Sequence, residues 1–260
     1  MGKIRLSQRQ QEIINILKNC NGMSVDEISE LFKVTSTTIR RELLFLENNM
    51  LIVRSRGYAR IAGDSISPFD MRDQLFHEEK MLIAQKALEY VNPSDTIIMD
   101  SGTTIYALAS KIAVSGIGKL AVVTNSLPVA SVLAGKCMVM MTGGMLEEST
   151  LSLIGPNADA YIDSVVADKV FLGATGINLQ AGLTVSSPLH FSIKAKMIKR
   201  AEQNFILIDS SKFNKGGFNI FCKPEEMGTI ITVRTEENAE KIDQLQKMGI
   251  HIEYIDMLNT

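Results

Sequence analysis

The stretch Val34–Leu46, V-T-S-T-T-I-R-R-E-L-L-F-L, decides how the first part of this chain is read. Ile39, Leu43 and Leu46 recur at i, i+4 and i+7, which predicts a helix with one apolar stripe. Thr35 or Ser36 stands where a hydroxyl can accept from the backbone N–H groups that a helix start leaves without partners. Off the stripe lie Thr37, Arg40 and Arg41, with Ser36 and Thr38 near the first turn. Hydroxyls followed by two guanidinium groups suit a groove of DNA, since hydroxyls reach phosphates or base edges and arginine pairs bidentately with guanine or clamps phosphate. Taken alone, such a helix is more often an ordinary solvated surface helix. Its neighbours decide.

Upstream, Ser7 precedes a helical pattern whose Ile13, Ile14 and Leu17 share one side, and Asn21-Gly22 supplies a stop. Ser24 then caps V-D-E-I-S-E-L-F, with Glu27 placed for a capping box and Ile28, Leu31 and Phe32 as the expected buried face. Two helices joined by a short turn, the second carrying hydroxyls and cations, make a helix-turn-helix. Downstream, Leu51–Ile61 reads as a strand, a turn at Gly57 and a return strand, decorated by Arg54, Arg56 and Arg60. A β-ribbon in that place is a wing, which lays cations along the sugar–phosphate backbone and strengthens binding without reading sequence.

Composition agrees. The 260 residues are 45% hydrophobic and 22% charged, as in a globular chain with ample core, and the net charge is −2. That charge is unevenly divided: residues 1–60 carry +4 and the remainder −6. The sign of this asymmetry points the first sixty residues at a polyanion. No apolar run is long enough to span a membrane and the start lacks an apolar leader, so a cytoplasmic protein is expected. Cys20, Cys137 and Cys222 are scattered, as are His77, His190 and His251, so neither a metal site nor a cofactor is expected.

Residues 62–70, small and polar and containing Pro68, read as a linker between a domain at 1–61 and a second at 71–260. A helix is expected from Phe69 to the break at Asn92-Pro93, with Leu75, Leu82, Ile83 and Leu88 packing on a sheet or on another subunit. From Thr96 on, seven short apolar runs alternate with helical or loop segments: T-I-I-M, L-A-V-V-T, C-M-V-M-M-T, K-V-F-L-G-A, F-I-L-I-D, T-I-I-T-V and I-H-I-E-Y-I. Continuous rather than alternating apolar runs predict strands buried on both faces, hence an α/β domain with a mostly parallel sheet covered by helices on both faces.

Five of these strands end in small polar residues, where open α/β sheets bind ligands. The first is followed by Asp100-Ser101-Gly102-Thr103-Thr104 and a helix, whose N-terminal N–H groups and hydroxyls suit a phosphate. Thr124-Asn125-Ser126, Thr142-Gly143-Gly144, Gly173-Ala174-Thr175-Gly176 and Asp209-Ser210-Ser211-Lys212 follow the next four. Each alone is weak evidence, but together they point to a small phosphorylated ligand, with Lys212 as a point charge. Lys194 is read as lying on a solvated helix face, and Glu147 and Glu148 as facing solvent.

Residues 6–61 resemble the N-terminal domain of the DeoR family of bacterial transcriptional regulators, whose valine, cap and T-I-R-R-D-L pattern is met here with Glu42 in place of Asp. The wing departs from the family's R-x-H-G-G-A, since Arg54-Ser55-Arg56-Gly57-Tyr58-Ala59 has Arg for His and Tyr for the second Gly. The resemblance continues through D-S-G-T-T, V-T-N-S, T-G-G, L-I-G-P, L-G-A-T-G-I, G-L-T-V-S-S-P and D-S-S-K-F, with Asn178 where the family often has Asp. It implies a winged helix-turn-helix followed by a sensor with the ribose-5-phosphate isomerase-like fold, binding phosphorylated sugars or their metabolites. An isomerase is the alternative, but Thr175, Gly176, Ile177 and Asn178 supply no base where those enzymes carry acids. Asp100 and Asp209 are then read as hydrogen bonding a sugar hydroxyl or fixing a loop. The expectation is thus a repressor of carbohydrate-metabolism genes, a homo-oligomer (dimer or tetramer) that binds double-stranded operator DNA through Ser36, Thr37, Thr38, Arg40, Arg41, Arg54 and Arg56. Its effector would meet Asp100–Thr104, Thr124, Asn125, Gly143, Gly144, Thr175, Asp209 and Lys212.

Overall fold

The computed structural model describes residues 6–18, 20, 23–48, 51–55, 58–61 and 69–258. The chain divides into two compact units, Met1–Met71 and Arg72–Thr260. The expected stop at Asn21-Gly22, Arg56 and Gly57 of the wing, and most of the expected linker fall outside the described residues, as does the side chain of Arg54.

In the first unit, helix α1 (Gln8–Lys18) is followed by strand β1 (Met23–Ser24), α2 (Val25–Phe32), α3 (Ser36–Asn48), β2 (Ile52–Ser55) and β3 (Tyr58–Ile61). Ser7 and Gln10 bond each other's backbone N–H at the start of α1, and Ser24 and Glu27 form the expected capping box on α2. Lys33 closes α2 in the left-handed conformation, and its N–H and that of Val34 bond back to Glu30 and Ser29. That reversal fixes the turn into α3. Ile13, Leu17, Ile28, Ile39, Leu43 and Leu46 form one core with Ile52 and Ala59. Leu31, expected in that core, is 56% exposed. The stripe on α2 is Val25, Ile28, Ser29 and Phe32, and Leu31 lies off to its side. The strands run antiparallel in the order β1-β3-β2, so Met23 and Ser24 add a third strand that the sequence reading lacked.

The second unit begins with α4 (Phe69–Gln74), which straddles the division, and α5 (His77–Leu88); the expected single helix is therefore two. Phe76, in left-handed geometry, separates them. Next come β4 (Thr96–Met99), α6 (Thr103–Ser115), β5 (Ala121–Thr124), α7 (Leu127–Leu133), β6 (Met138–Met141), the hairpin of β7 (Met145–Glu147) and β8 (Ser152–Ile154), and α8 (Pro156–Asp163). They are followed by β9 (Ala167–Leu172), β10 (Gly176–Asn178), β11 (Gly182–Val185), α9 (Pro188–Met197), β12 (Ala201–Leu207), β13 (Asn219–Cys222), β14 (Thr229–Arg234), α10 (Ala239–Lys247) and β15 (Ile252–Asp256).

The seven apolar runs form one sheet, in the order β15-β14-β12-β9-β4-β5-β6, with every neighbouring pair parallel. Alternate residues face opposite ways. Ile97 and Met99 pack with α5, α6 and α7, whereas Ile98, Val170 and Leu172 pack with α8, α9 and α10. Ile83 of α5 therefore packs on the sheet, which settles one of the two destinations open to it. The chain winds from β4 outward through β5 and β6, then returns to place β9 on the other side of β4. The order thus reverses between β4 and β9.

Candidate functional site

A reversal of this kind leaves a crevice at the carboxyl ends of the two strands, because their connections leave in opposite directions. Asp100 follows β4 there and Gly173 follows β9, and α6 starts at Gly102 with no side chain capping it. The free N–H groups and dipole of such a helix start favour an anion. A Cβ on Gly102 would lie 3.8 Å from Gly173 Cα, ordinary van der Waals contact, so the two strand ends pass close to each other without requiring glycine for space.

Asp100 is fully buried and tied across the reversal. Its Oδ2 accepts from Gly173 N at 3.0 Å and pairs with Lys194 Nζ, which also donates to Gly173 O at 3.0 Å. Burial works against the charge of Asp100, but the Lys194 ammonium, with hydrogen bonds from Lys194 and Gly173, holds the carboxyl below its ordinary range. Lys194 is only 6% exposed, which corrects its placing on a solvated face. The signal was present in the spacing: His190, Ile193, Lys194 and Met197 are all buried and follow the i, i+3, i+4, i+7 stripe of α9. An apolar count along that helix discards the two polar members.

One turn before Lys194, His190 Nε2 lies 2.5 Å from Glu147 Oε2, and Thr150 Oγ1 donates to the same oxygen at 2.6 Å. The His190 bond holds Glu147 below the usual carboxylate range in spite of partial burial. Glu147 is therefore turned inward and Glu148 outward, where both were expected to face solvent. The β7–β8 hairpin that carries Glu147 is fastened to the end of β5: Leu153 N donates to Asn125 O at 2.7 Å, and Asn125 Nδ2 donates to Leu153 O at 3.1 Å.

The other expected ligand residues divide into two kinds. Because β12, β9, β4, β5 and β6 are consecutive and parallel, all five polar strand ends lie on one edge of the sheet. Ser101, Thr104, Thr124 and Asn125 are buried there, and Gly102 and Thr103 are partly exposed. Several are occupied in building turns. Thr124 Oγ1 accepts from Ser126 N, Thr175 N donates to Thr184 O, and Asp209 Oδ1 accepts from Ser211 N. Gly143 and Gly144 both have positive φ, and a side chain at Gly144 would lie 2.5 Å from Ile154 O, so this pair shapes the hairpin entry. Lys212 Nζ stands 4.0 Å from Asp209 Oδ2. Beside it, Glu79 of α5 accepts from the N–H and hydroxyl of Ser210, and burial raises its carboxyl. Lys80, also buried, donates to Arg72 O, and burial lowers its ammonium to about 8.

A cleft of about 290 Å³ opens at the opposite, amino-terminal edge, lined by Tyr90, Asp95, Asp168, Lys169, Glu202 and others. Two of its acids are spent on structure: Lys169 Nζ pairs with Asp95 at 2.5 Å and Thr96 N donates to Asp168 at 2.6 Å.

In the first unit, Thr35 rather than Ser36 caps α3, accepting from Thr38 N at 3.3 Å, while Ser36 Oγ donates to Asp26 of α2 at 3.3 Å. Thr37, Arg40 and Arg41 are exposed, and Ser36 and Thr38 partly so. Thr37 and Arg41 sit one turn apart on the side away from the Ile39–Leu43–Leu46 stripe, with Arg40 on the flank. Glu42 faces inward, accepting from Gln10 Nε2 at 2.8 Å and lying 3.6 Å from Arg9, so it braces α3 against α1.

Comparison with known proteins agrees with both units. A family model described as the DeoR-like helix-turn-helix domain matches residues 9–64, and one described as the DeoR C-terminal sensor domain matches residues 75–234. The uncharacterized HTH-type transcriptional regulator YulB of Bacillus subtilis (strain 168) is 33% identical over 231 residues, 87% of this chain and 88% of that protein. The lactose phosphotransferase system repressor of Streptococcus mutans is 31% identical over 261 residues, covering 97% and 100%. The L-fucose operon activator of Escherichia coli (strain K12) is 31% identical over 215 residues, covering 80% and 87%. Among solved structures, ribose 5-phosphate isomerase A from Methanocaldococcus jannaschii gives a TM-score of 0.39 at 15% identity, over 53% and 55% of the two chains, a likeness too loose to bear on chemistry. No described helix is long and apolar enough to cross a membrane. With both of its units matched over most of their length, this chain is a transcriptional regulator rather than an enzyme and belongs to the DeoR family.

Proposed function

We propose that this regulator is a repressor of carbohydrate-metabolism genes whose grip on operator DNA is set by a phosphorylated sugar or related metabolite. The observation that carries the ligand half is the strand-order reversal between β4 and β9, where α6 starts uncapped, with Lys212 after β12 on the same edge of the sheet. A helix start and a cation favour a phosphate, and the surrounding hydroxyls and amides favour a polyhydroxylated body. Relatives named for a lactose phosphotransferase system and an L-fucose operon support the carbohydrate reading. The effector residues are Asp100–Thr104, Thr124, Asn125, Gly143, Gly144, Thr175, Asp209 and Lys212, joined by Lys194.

The DNA half rests on the face of α3 that bears Thr37 and Arg41, flanked by Arg40, Ser36 and Thr38, with Arg54 and Arg56 of the wing on the backbone. The working division is a DNA-binding domain at 1–61, a linker at 62–70 and a sensor at 71–260. Paired half-sites on DNA mirror protein symmetry, so the regulator works as a dimer or tetramer. Ligand control needs different effector affinities in the DNA-bound and free states, and the coupling is reciprocal.

The test is fluorescence anisotropy of a labelled duplex from the region upstream of the chain's own gene, titrated with sugar phosphates. A matching sugar phosphate should change DNA affinity about 5- to 150-fold, and Lys212→Ala should blunt that response with DNA affinity retained. DNA affinity indifferent to every sugar phosphate would remove the effector assignment.

A further inference from the structure

Two buried oxygens at the ends of β4 and β5, beside the reversal, are unmatched. Asp100 uses Oδ2 for Gly173 N and Lys194, and its Oδ1 has no hydrogen-bond partner among the described residues. Asn125 uses Nδ2 for Leu153 O, and its Oδ1 likewise has none. Both residues are 0% exposed. The amide orientation of Asn125 is set by chemistry, since the flipped form would press its oxygen against the Leu153 carbonyl. Met99 and Thr124 are register partners on adjacent parallel strands, so Asp100 and Asn125, one residue on, stand side by side about 5 Å apart.

Buried acceptors left unpaired are costly, and a pair of them at a ligand crevice is a request for donors. The neighbouring charge decides which donor. Lys194 already neutralises Asp100, which removes the attraction for a metal ion or a ligand ammonium and leaves a neutral O–H as the fitting partner.

We infer that Asp100 Oδ1 and Asn125 Oδ1 are a specificity pair that accepts hydrogen bonds from two hydroxyl groups of the effector's sugar body. This rests on the effector reading above and sharpens it: the ends of β4 and β5 read hydroxyls, while the phosphate lies toward the helix start and the lysines. Neither oxygen meets water, so the hydroxyls arrive as the β7–β8 hairpin, bonded to Asn125 through Leu153, shifts, with Lys194 still paired to Asp100. A site built to bond a hydroxyl rejects the analogue that lacks it, because its own acceptor is then left unpaired.

The experiment uses the full chain, with glucose 6-phosphate, fructose 6-phosphate and ribose 5-phosphate as probes, each beside its single-deoxy analogues and inorganic phosphate. Thermal shift selects the probes that bind, and isothermal titration gives the affinities. For a sugar phosphate that binds, at least one deoxy analogue should bind about tenfold more weakly or worse. Asn125→Ala should weaken the parent sugar phosphate by a similar factor while leaving one deoxy analogue unchanged, which identifies the hydroxyl that Asn125 accepts. Deoxy analogues that all bind wild type as well as their parent overturn the specificity pair and leave the effector reading standing. So does an Asn125→Ala protein that keeps the full discrimination against every analogue. If no sugar phosphate binds more tightly than inorganic phosphate, the specificity pair and the effector reading fall together. The wild-type arm decides the question even where Asn125→Ala does not fold.

Discussion

Lys194→Met should be the most damaging conservative change in the sensor unit. The substitution keeps most of the side-chain volume and removes the ammonium that neutralises Asp100. Asp100, fully buried, keeps its bond from Gly173 and loses its counter-charge. Breaking a buried pair from one side costs about 3–5 kcal/mol, far above the roughly 0–1 kcal/mol of an exposed pair. In a unit of this size that lowers Tm by roughly 10 °C.

The pH dependence should also invert. In the wild type the Asp100 carboxyl sits below its ordinary value of 3.8. The unfolded chain therefore takes up the proton first, and the pair's contribution is complete above 3.8 and lost as pH falls through the folded value. Without Lys194, burial dominates and the folded value rises above 3.8. The variant then recovers stability relative to wild type as pH drops from neutral. Urea unfolding followed by circular dichroism at pH 5 and pH 7 measures both effects. Asp100→Leu in the Lys194→Met background should restore most of the loss, since removing both charges leaves none stranded. A Lys194→Met loss below about 1 kcal/mol, or two substitutions whose effects simply add, would refute the argument that these groups are a buried, coupled pair.

Arg41→Ala should weaken operator binding by about 1–3 kcal/mol and narrow the gap to random DNA, whereas Arg40→Ala should weaken both alike and reduce the salt slope by about 1; anisotropy titrations at several salt concentrations tell them apart, and equal behaviour rejects the division of labour. Gly144→Ala should destabilise the sensor by at least about 1 kcal/mol, because the residue has φ +114° and its new Cβ would lie 2.5 Å from a backbone oxygen; an unchanged melt contradicts this. Lys80 holds its proton less tightly in the fold (about 8) than in the open chain (10.5), so the unfolded state binds more protons between these values and stability climbs with pH there, by up to about 1.4 kcal/mol per pH unit. Lys80→Met should flatten that climb, and parallel pH profiles for variant and wild type would show that burial does not lower Lys80.

How much of this was legible in the chain follows from what each feature depends on. The stripe Ile39, Leu43 and Leu46 and the Ser24–Glu27 cap are local, fixed by spacing within a few residues, and both are as expected. The seven sheet strands were legible because strands buried on both faces need unbroken apolar runs. The three-residue strands of the β7–β8 hairpin and β10 give no such run, so the hairpin fastened to the end of β5 is not legible in the sequence.

Sequence by itself determined two domains' worth of elements, the helix-turn-helix with its outward Thr37, Arg40 and Arg41, and the polar character of five strand ends. Tertiary structure decided the order of the strands, and with it the reversal that sets Asp100 beside Gly173 and the β4–β5 pairing that sets it beside Asn125. It also decided that Lys194, 94 residues from Asp100, is a buried partner and that Glu147 turns to His190. The physical reason is range. A cap or an amphipathic stripe is settled by neighbours along the chain, but the cost of burying a charge depends on what the fold brings against it, and no local spacing records that partner.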